Sequence, residues 1–399
     1  MRFNLKYLWL LLVVCCPAMM FSQNHSQLPK LHAYTAVRPA HVTPGAAAAT
    51  ASSLPVWSFS TTSSRDGNNY SGVMVGTSPF DGGDGSTSVR TQVIPVIIKV
   101  HRVATGINSK GILSVKSGDV TFDPTVAETA CMTAPNDVPL KVFMQSPILK
   151  TADFTFGETN VGSAQYLDAF QRANFWTQIG SDYHVKLDPV RVLSSIVIDV
   201  PNDRGLSLGI FGSCAPLGIF DINFMDALLT NTILPALASK GVNPGTFPIF
   251  LMSNVVMSIG NPKNLNQCCV LGYHGATGTG AIQTYSPMDF DMTGLFGSGI
   301  FDTSVAAHEV GEWMDDPYGN NPTPAWGHTG QVGFCQNNLE VGDPLTGTNI
   351  PTVTMPNGFT YHLQELAFFS WFYGAPSIAA NGWFSDNGTF ATDAGPVCQ

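Results

Sequence analysis

The spacing of apolar residues changes repeatedly along this chain, and each change marks an element. Residues 93–100 (VIPVIIKV) are dense and β-branched, which predicts a buried strand. Shorter runs at 112–115, 120–122, 154–156 and 192–200 predict further strands. In between, Leu167, Phe170, Ala173, Phe175 and Trp176 recur at roughly helical spacing, with Asp168, Gln171, Arg172 and Asn174 on the remaining positions; 165–179 therefore predicts a helix. The second half alternates again: a helix over 220–234 broken by Pro235, strands at 247–257, 269–274 and 281–285, then a helix that Pro317 ends. Residues 24–90 show no recurring period. Their Ala, Ser, Thr and Gly content leaves little to bury, so a linker or a propeptide is expected there. The fold class expected is α+β, with a β-rich subdomain over 91–205 followed by an α+β domain over 206–399.

The start of the chain narrows its destination. Arg2 and Lys6 flank a short apolar run over 7–16, and a small-residue boundary follows near Ser22 and Gln23. That is the pattern of a signal peptide over 1–22, since the run is too short to span a bilayer. A secreted protein, extracellular or periplasmic, is expected. Cys15 and Cys16 follow Val and Cys rather than Gly or Ala, which disfavours lipoprotein cleavage. No other segment is apolar for long enough to span a membrane. Cys131, Cys214, Cys268, Cys269, Cys335 and Cys398 remain beyond the peptide, an even set suited to disulfides in an oxidising compartment. A bridge between neighbours is strained, so Cys268 and Cys269 are expected to bond two different partners. A net charge of −10 argues against nucleic acid as a partner.

The chemistry concentrates in His308-Glu309-Val310-Gly311-Glu312. On a helix, positions i and i+4 share a face, so His308 and Glu312 can reach one metal ion. Glu309 lies about 100° round the helix, close enough to hold a water beside that ion. Asp302, Thr303 and Ser304 are N-cap residue types just upstream, while Ala306, Val310, Trp313 and Met314 form an apolar stripe that can pack inward. The opposite stripe carries His308, Glu312 and Asp315 or Asp316. A hydrolytic zinc site needs three protein ligands and one open position. Asp315 and Asp316 sit about 10–12 Å along the axis from His308, too far to join it. Glu340, in Glu340-Val341-Gly342-Asp343, is the preferred third ligand, with Asp343 as the alternative. His274, His328 and His362 are candidates for a further ligand, and Tyr361 or His362 for an oxyanion partner.

The segment 307–317 (AHEVGEWMDDP), followed by Glu340-Val341-Gly342-Asp343, resembles secreted proteins that carry H-E-x-x-E, then Asp-Pro, then E-[IV]-G-D. These are mostly uncharacterised bacterial proteins and, more distantly, the plant phosphate-induced, exordium-like proteins. The resemblance covers a little over a third of the chain, from about residue 247. It implies a zincin-like catalytic region built round the active-site helix, and metallopeptidase activity with a peptide or protein substrate.

The second glutamate differs from the usual H-E-x-x-H. A carboxylate in place of an imidazole adds negative charge and makes a bound water less acidic. Zn2+ is the first expectation because of His308, with Mn2+ or Ca2+ admitted by the oxygen-rich set. Glu309 would serve as general base. The competing expectation is a non-catalytic extracellular protein with a structural or vestigial metal site. Its aromatic residues at 368–373 and 383–384 would then bind cell-wall glycan or pack a core. A serine-nucleophile match at 205–209 (GLSLG) lacks the strand-turn-helix setting that chemistry needs.

Overall fold

Ser86–Ile107, a 22-residue strand, is the spine of the fold. The structure, a computed structural model, describes residues 53–399 except 82–84, 129, 132–136, 210–212, 298–299, 328, 331–332, 349, 393–397 and 399, together with the short strand Tyr34–Thr35. The expected signal peptide lies outside the described residues. The spine runs parallel to His184–Val192 and to Thr246–Ser253, and further along to Ile196–Asp199. Leu113–Phe122 pairs with it antiparallel. Gln283–Phe290 lies beside Thr246–Ser253, again parallel. In the other direction come Gly205–Leu208, Leu217–Asp221, Val255–Ser258 and Cys268–Gly272. Gly272 pairs with Met288, which returns this row of strands to Gln283–Phe290.

Period-two alternation sorts the strand residues into two cores. Val93, Ile249, Leu251, Ile219, Leu271 and Met288 face one, and Ile94, Val96, Phe250, Met252 and Val270 the other. The helix Ser304–Asp315 packs on the first face. There Trp313 stacks on Phe247 with ring centroids 3.8 Å apart, and its indole N–H donates to Thr284 Oγ1 at 3.0 Å.

The mixed, strand-rich character agrees with the α+β expectation. The boundary at residue 205 does not: strands from both sides of it share one sheet. Parallel neighbours must come from distant segments, so sequence position was a poor guide to partition. The helix at 165–179 is present as Tyr166–Asn174. The run at 192–200 is split between two strands, and 247–257 divides at Asn254, whose φ is +55°. Pro235 does not end its helix; the chain widens its turns over Leu229–Ile233 and continues as Leu234–Leu237.

The leader expectation is corrected from residue 53 onward. Val56–Thr62 and Asn69–Val75 form a hairpin that buries Trp57, Phe59, Met74 and Val75. Phe59 meets Phe369 edge-on at 5.2 Å, and Asn321 clamps Val73, accepting from its N–H at 3.0 Å and donating to its carbonyl at 2.7 Å. The apolar residues that bury this hairpin are few and their partners lie hundreds of residues away, so composition concealed it. Ser86 to Arg90 already belong to the spine, so the globular part does not begin at Thr91.

The cysteine expectation is also corrected. Cys131 bonds Cys214, Cys335 bonds Cys398, and Cys268 and Cys269 bond each other. Both members of the adjacent pair are buried in the strand Cys268–Gly272, and the other four cysteines pair among themselves. Among the described residues, no helix is long and apolar enough to cross a membrane.

Candidate metal centre

The helix Ser304–Asp315 starts where the sequence predicts, with Thr303 at the N-cap position and no side-chain cap; Asp302 has another role. With φ at +30°, Asp302 turns its Oδ1 to accept from Thr303 N–H at 2.5 Å and from the backbone N–H of His362 at 2.9 Å, while Oδ2 meets His362 Nδ1 at 2.6 Å. The helix start is thereby tied to the Thr360–His362 strand. All twelve helix residues are buried, those of the His308 and Glu312 stripe included. Leu167 and Leu366 close over Gly311, where an added Cβ would lie 2.6 Å from Leu366 Cδ1.

Two groups of donors meet at Glu312. His308, Glu312 and Asp343 form one; His274, Glu309 and Glu312 form the other, and within each group the ligand atoms lie within 4.8 Å of one another. His308 Nε2 is 2.8 Å from Glu312 Oε1 and 3.5 Å from Asp343 Oδ1. His274 Nδ1 is 3.6 Å from Glu309 Oε2 and 3.6 Å from Glu312 Oε2. Relative exposures are 0 % for His274, His308 and Glu309, 1 % for Glu312 and 3 % for Asp343.

Neighbouring groups fix how each ring is presented. Gln364 Nε2 donates to the Gly342 carbonyl at 2.6 Å, so its Oε1 faces His308 and accepts from Nδ1–H at 3.1 Å. His308 Nε2 is then the nitrogen turned to the acids. His274 Nε2–H donates to the Asp316 carbonyl at 3.1 Å, leaving Nδ1 for the carboxylates. Such outer contacts set the tautomer of a ligating histidine. Gly342 is required for this packing, because a Cβ there would run into the His308 ring. Gly272 does the same for Glu309, whose Oε1 and Cγ both lie 3.0 Å from where its Cβ would be.

The electrostatics are those of buried acids sharing too few protons. Burial by itself would lower the His308 and His274 pKa values. For His308, the charges of Glu312, Glu309 and Asp343 outweigh burial and push it up to about 9; for His274, the facing carboxylates of Glu309 and Glu312 do the same and push it up to about 10. Burial likewise would raise Glu312, but His308 and His274 hold it well below the usual carboxylate range. Glu309 is raised, first by burial. Burial, with the charges of Glu312, Asp316 and Asp343, pushes Glu340 well above the ordinary range. Among the described residues, His274 Nδ1, both oxygens of Glu309 and Oε2 of Glu340 have no hydrogen-bond partner. Buried polar atoms left this way are rare and costly unless something else meets them.

The predicted residues divide accordingly. His308, Glu309 and Glu312 come together, and His274 joins them from the end of its strand. Asp343, the alternative third ligand, groups with His308 and Glu312. Glu340, the preferred one, lies beside Glu312 but falls outside both groups, its Oε1 accepting from Asn338 Nδ2 at 2.9 Å. Its backbone precedes the turn at Gly342, and only after that turn does the chain face His308. Tyr361 is committed elsewhere: its hydroxyl donates to Val142 O and accepts from Asn357 Nδ2, each at 2.7 Å. His362 braces Asp302 and is in neither group. His328 lies outside the described residues. Asp315 and Asp316 stay off the donor groups, Asp315 accepting from Gln171 and Asn174, and Asp316 from the backbone of Asn320 and Asn321. Gln364 was not singled out by the sequence, because nothing in its neighbourhood marks a residue that acts through folding alone.

Comparison with protein-family models, curated proteins and solved structures finds no match to this chain.

Proposed function

We propose that the protein is a secreted metal-dependent hydrolase of peptide bonds, with a zincin-like active-site helix. The observation that carries this reading is Glu309: it adjoins the His308, Glu312 and Asp343 group with both oxygens lacking hydrogen-bond partners. A carboxylate so placed is suited to general-base work. One imidazole nitrogen and two carboxylates form a set that fits Zn2+ or Mn2+, and one with too few oxygens for Ca2+. A bound Zn2+ would supply Lewis acidity toward the scissile carbonyl and toward water. Gln364 holds His308 in the ligating tautomer. Glu309 accepts the proton of the attacking water and delivers it to the leaving amine; its raised pKa strengthens it as the base.

A second reading is favoured by the near-complete burial of every donor: a structural site in a non-catalytic extracellular protein. A cleft of about 470 Å³ lined by Trp57, Phe59, Phe80, Phe369 and Tyr373 would then offer aromatic faces to a cell-wall glycan. The two readings separate in one experiment. Under the first, wild-type protein loaded with Zn2+ or Mn2+ cleaves an unstructured protein substrate, His308→Ala loses metal and activity, and Glu309→Gln loses activity while keeping the metal held by His308. Glu309→Gln cleaving at the wild-type rate would sink the first reading. No cleavage by the loaded wild type, with a metal-dependent rise in Tm, would establish the second.

A further inference from the structure

Glu312 belongs to both donor groups and offers a different oxygen to each: Oε1 to His308 and Oε2 to His274. We propose that the centre is built for two divalent transition-metal cations bridged by Glu312. One would be held by His308 Nε2, Glu312 Oε1 and Asp343, the other by His274 Nδ1, Glu312 Oε2 and Glu309 Oε2. This rests on the reading of the His308 group as a metal site and deepens it.

Three observations support the second position. The first is spacing. His274 Nδ1 stands 3.6 Å from each of its two carboxylate oxygens, too far for good hydrogen bonds. Donors on a tetrahedral ion with bonds of about 2.0–2.1 Å lie about 3.4 Å apart, close to what is seen. The second is orientation. His274 spends Nε2–H on the Asp316 carbonyl and turns a partnerless Nδ1 toward Glu309, whose own oxygens are partnerless too, and both residues are fully buried. Nothing else among the described residues meets those three atoms. The third is charge. Glu309, Glu312 and Asp343, the acids of the two donor groups, are buried beside two imidazoles. Three ionised carboxylates outnumber the charge of one dication, and a buried excess of that kind is expensive.

Glu309 keeps its proposed catalytic part in this arrangement. Oε2 faces His274, and Oε1, on the Gly272 side, stays available to take a proton. Carboxylate-bridged pairs are a known way to clamp both the attacking and the leaving group of a hydrolysis.

Stoichiometry tests the proposal without relying on activity. Full-length protein stripped with a chelator would be titrated with Zn2+ alone, and with Mn2+ alone for electron paramagnetic resonance. Two equivalents per chain are expected for the wild type, with an exchange-coupled Mn2+ signal. His274→Ala and His274→Gln are each expected to bind one equivalent and to show an isolated Mn2+ signal, with far-UV circular dichroism unchanged. Should both variants unfold, the wild-type stoichiometry and coupling decide alone. A wild type that saturates at one equivalent with an uncoupled signal would overturn the two-cation proposal and leave the single-metal reading standing. A wild type that binds neither ion would overturn both.

Discussion

Gln364 Oε1 lies 3.1 Å from His308 Nδ1, and the same amide donates to the Gly342 carbonyl at 2.6 Å. One side chain thus locks the helix histidine to the loop that brings in Asp343. Gln364 bears on both the tautomer of His308 and the loop that carries Asp343.

Replacing it should therefore weaken metal binding without unfolding the protein. Gln364→Leu is expected to reduce affinity for Zn2+ about 10- to 100-fold, the range for removing an outer partner of a ligating histidine. Competition with a chromophoric chelator measures this directly. Unchanged affinity would mean that Thr346, 3.4 Å from Nδ1, suffices to orient the ring.

Gly342→Ala should do more damage through less chemistry. The added methyl meets the His308 ring, which is walled in by Gln364 and Glu312 and has nowhere to retreat. Overpacking of this kind costs about 1–3 kcal/mol. Urea denaturation should show that loss, and elemental analysis a matching loss of bound metal.

The hairpin that begins at Val56 should prove integral to the fold. Trp57 is buried edge-on against Phe59, Phe80 and Phe175. Trp57→Ala is expected to destabilise the protein by about 3–5 kcal/mol, as for other large core truncations. A shift in denaturation midpoint near zero would return this region to the status of a leader.

Asp386 supplies a pH-dependent term away from the metal centre. Burial, reinforced by the nearby Glu365 charge, raises its pKa to about 8. Its Oδ1 accepts from Leu366 N–H at 3.0 Å, and Oδ2 lies 2.6 Å from the Tyr166 hydroxyl, which donates to the Gln364 carbonyl at 2.6 Å. In the unfolded chain an aspartate ionises near 3.9. Between these values the folded state holds a proton that the unfolded state has lost. The stability from this group is complete below the unfolded pKa and is lost as pH rises through about 8. Asp386→Asn does not titrate, so wild-type stability relative to the variant should fall steadily from pH 4.5 to 8, as read from urea midpoints. A flat difference would show that Asp386 is ionised in the native state.

The sequence by itself determined the elements whose signal is local. The H-E-x-x-E spacing put His308, Glu309 and Glu312 on adjacent turns because helical geometry leaves no alternative, and Pro317 closed that helix. Residues 93–100 read as a strand because their β-branched run is continuous. What only the tertiary structure decided depended on contacts across long separations. It grouped Asp343, and not Glu340, with His308 and Glu312, because the chain turns at Gly342 between them. His274 entered the centre because Gly272–Met288 pairing carries the end of its strand there. The hairpin at Trp57 became core because aromatic residues near the C-terminus cover it. Local periodicity records which way a side chain points along its own element; it holds no record of which distant element waits on that side.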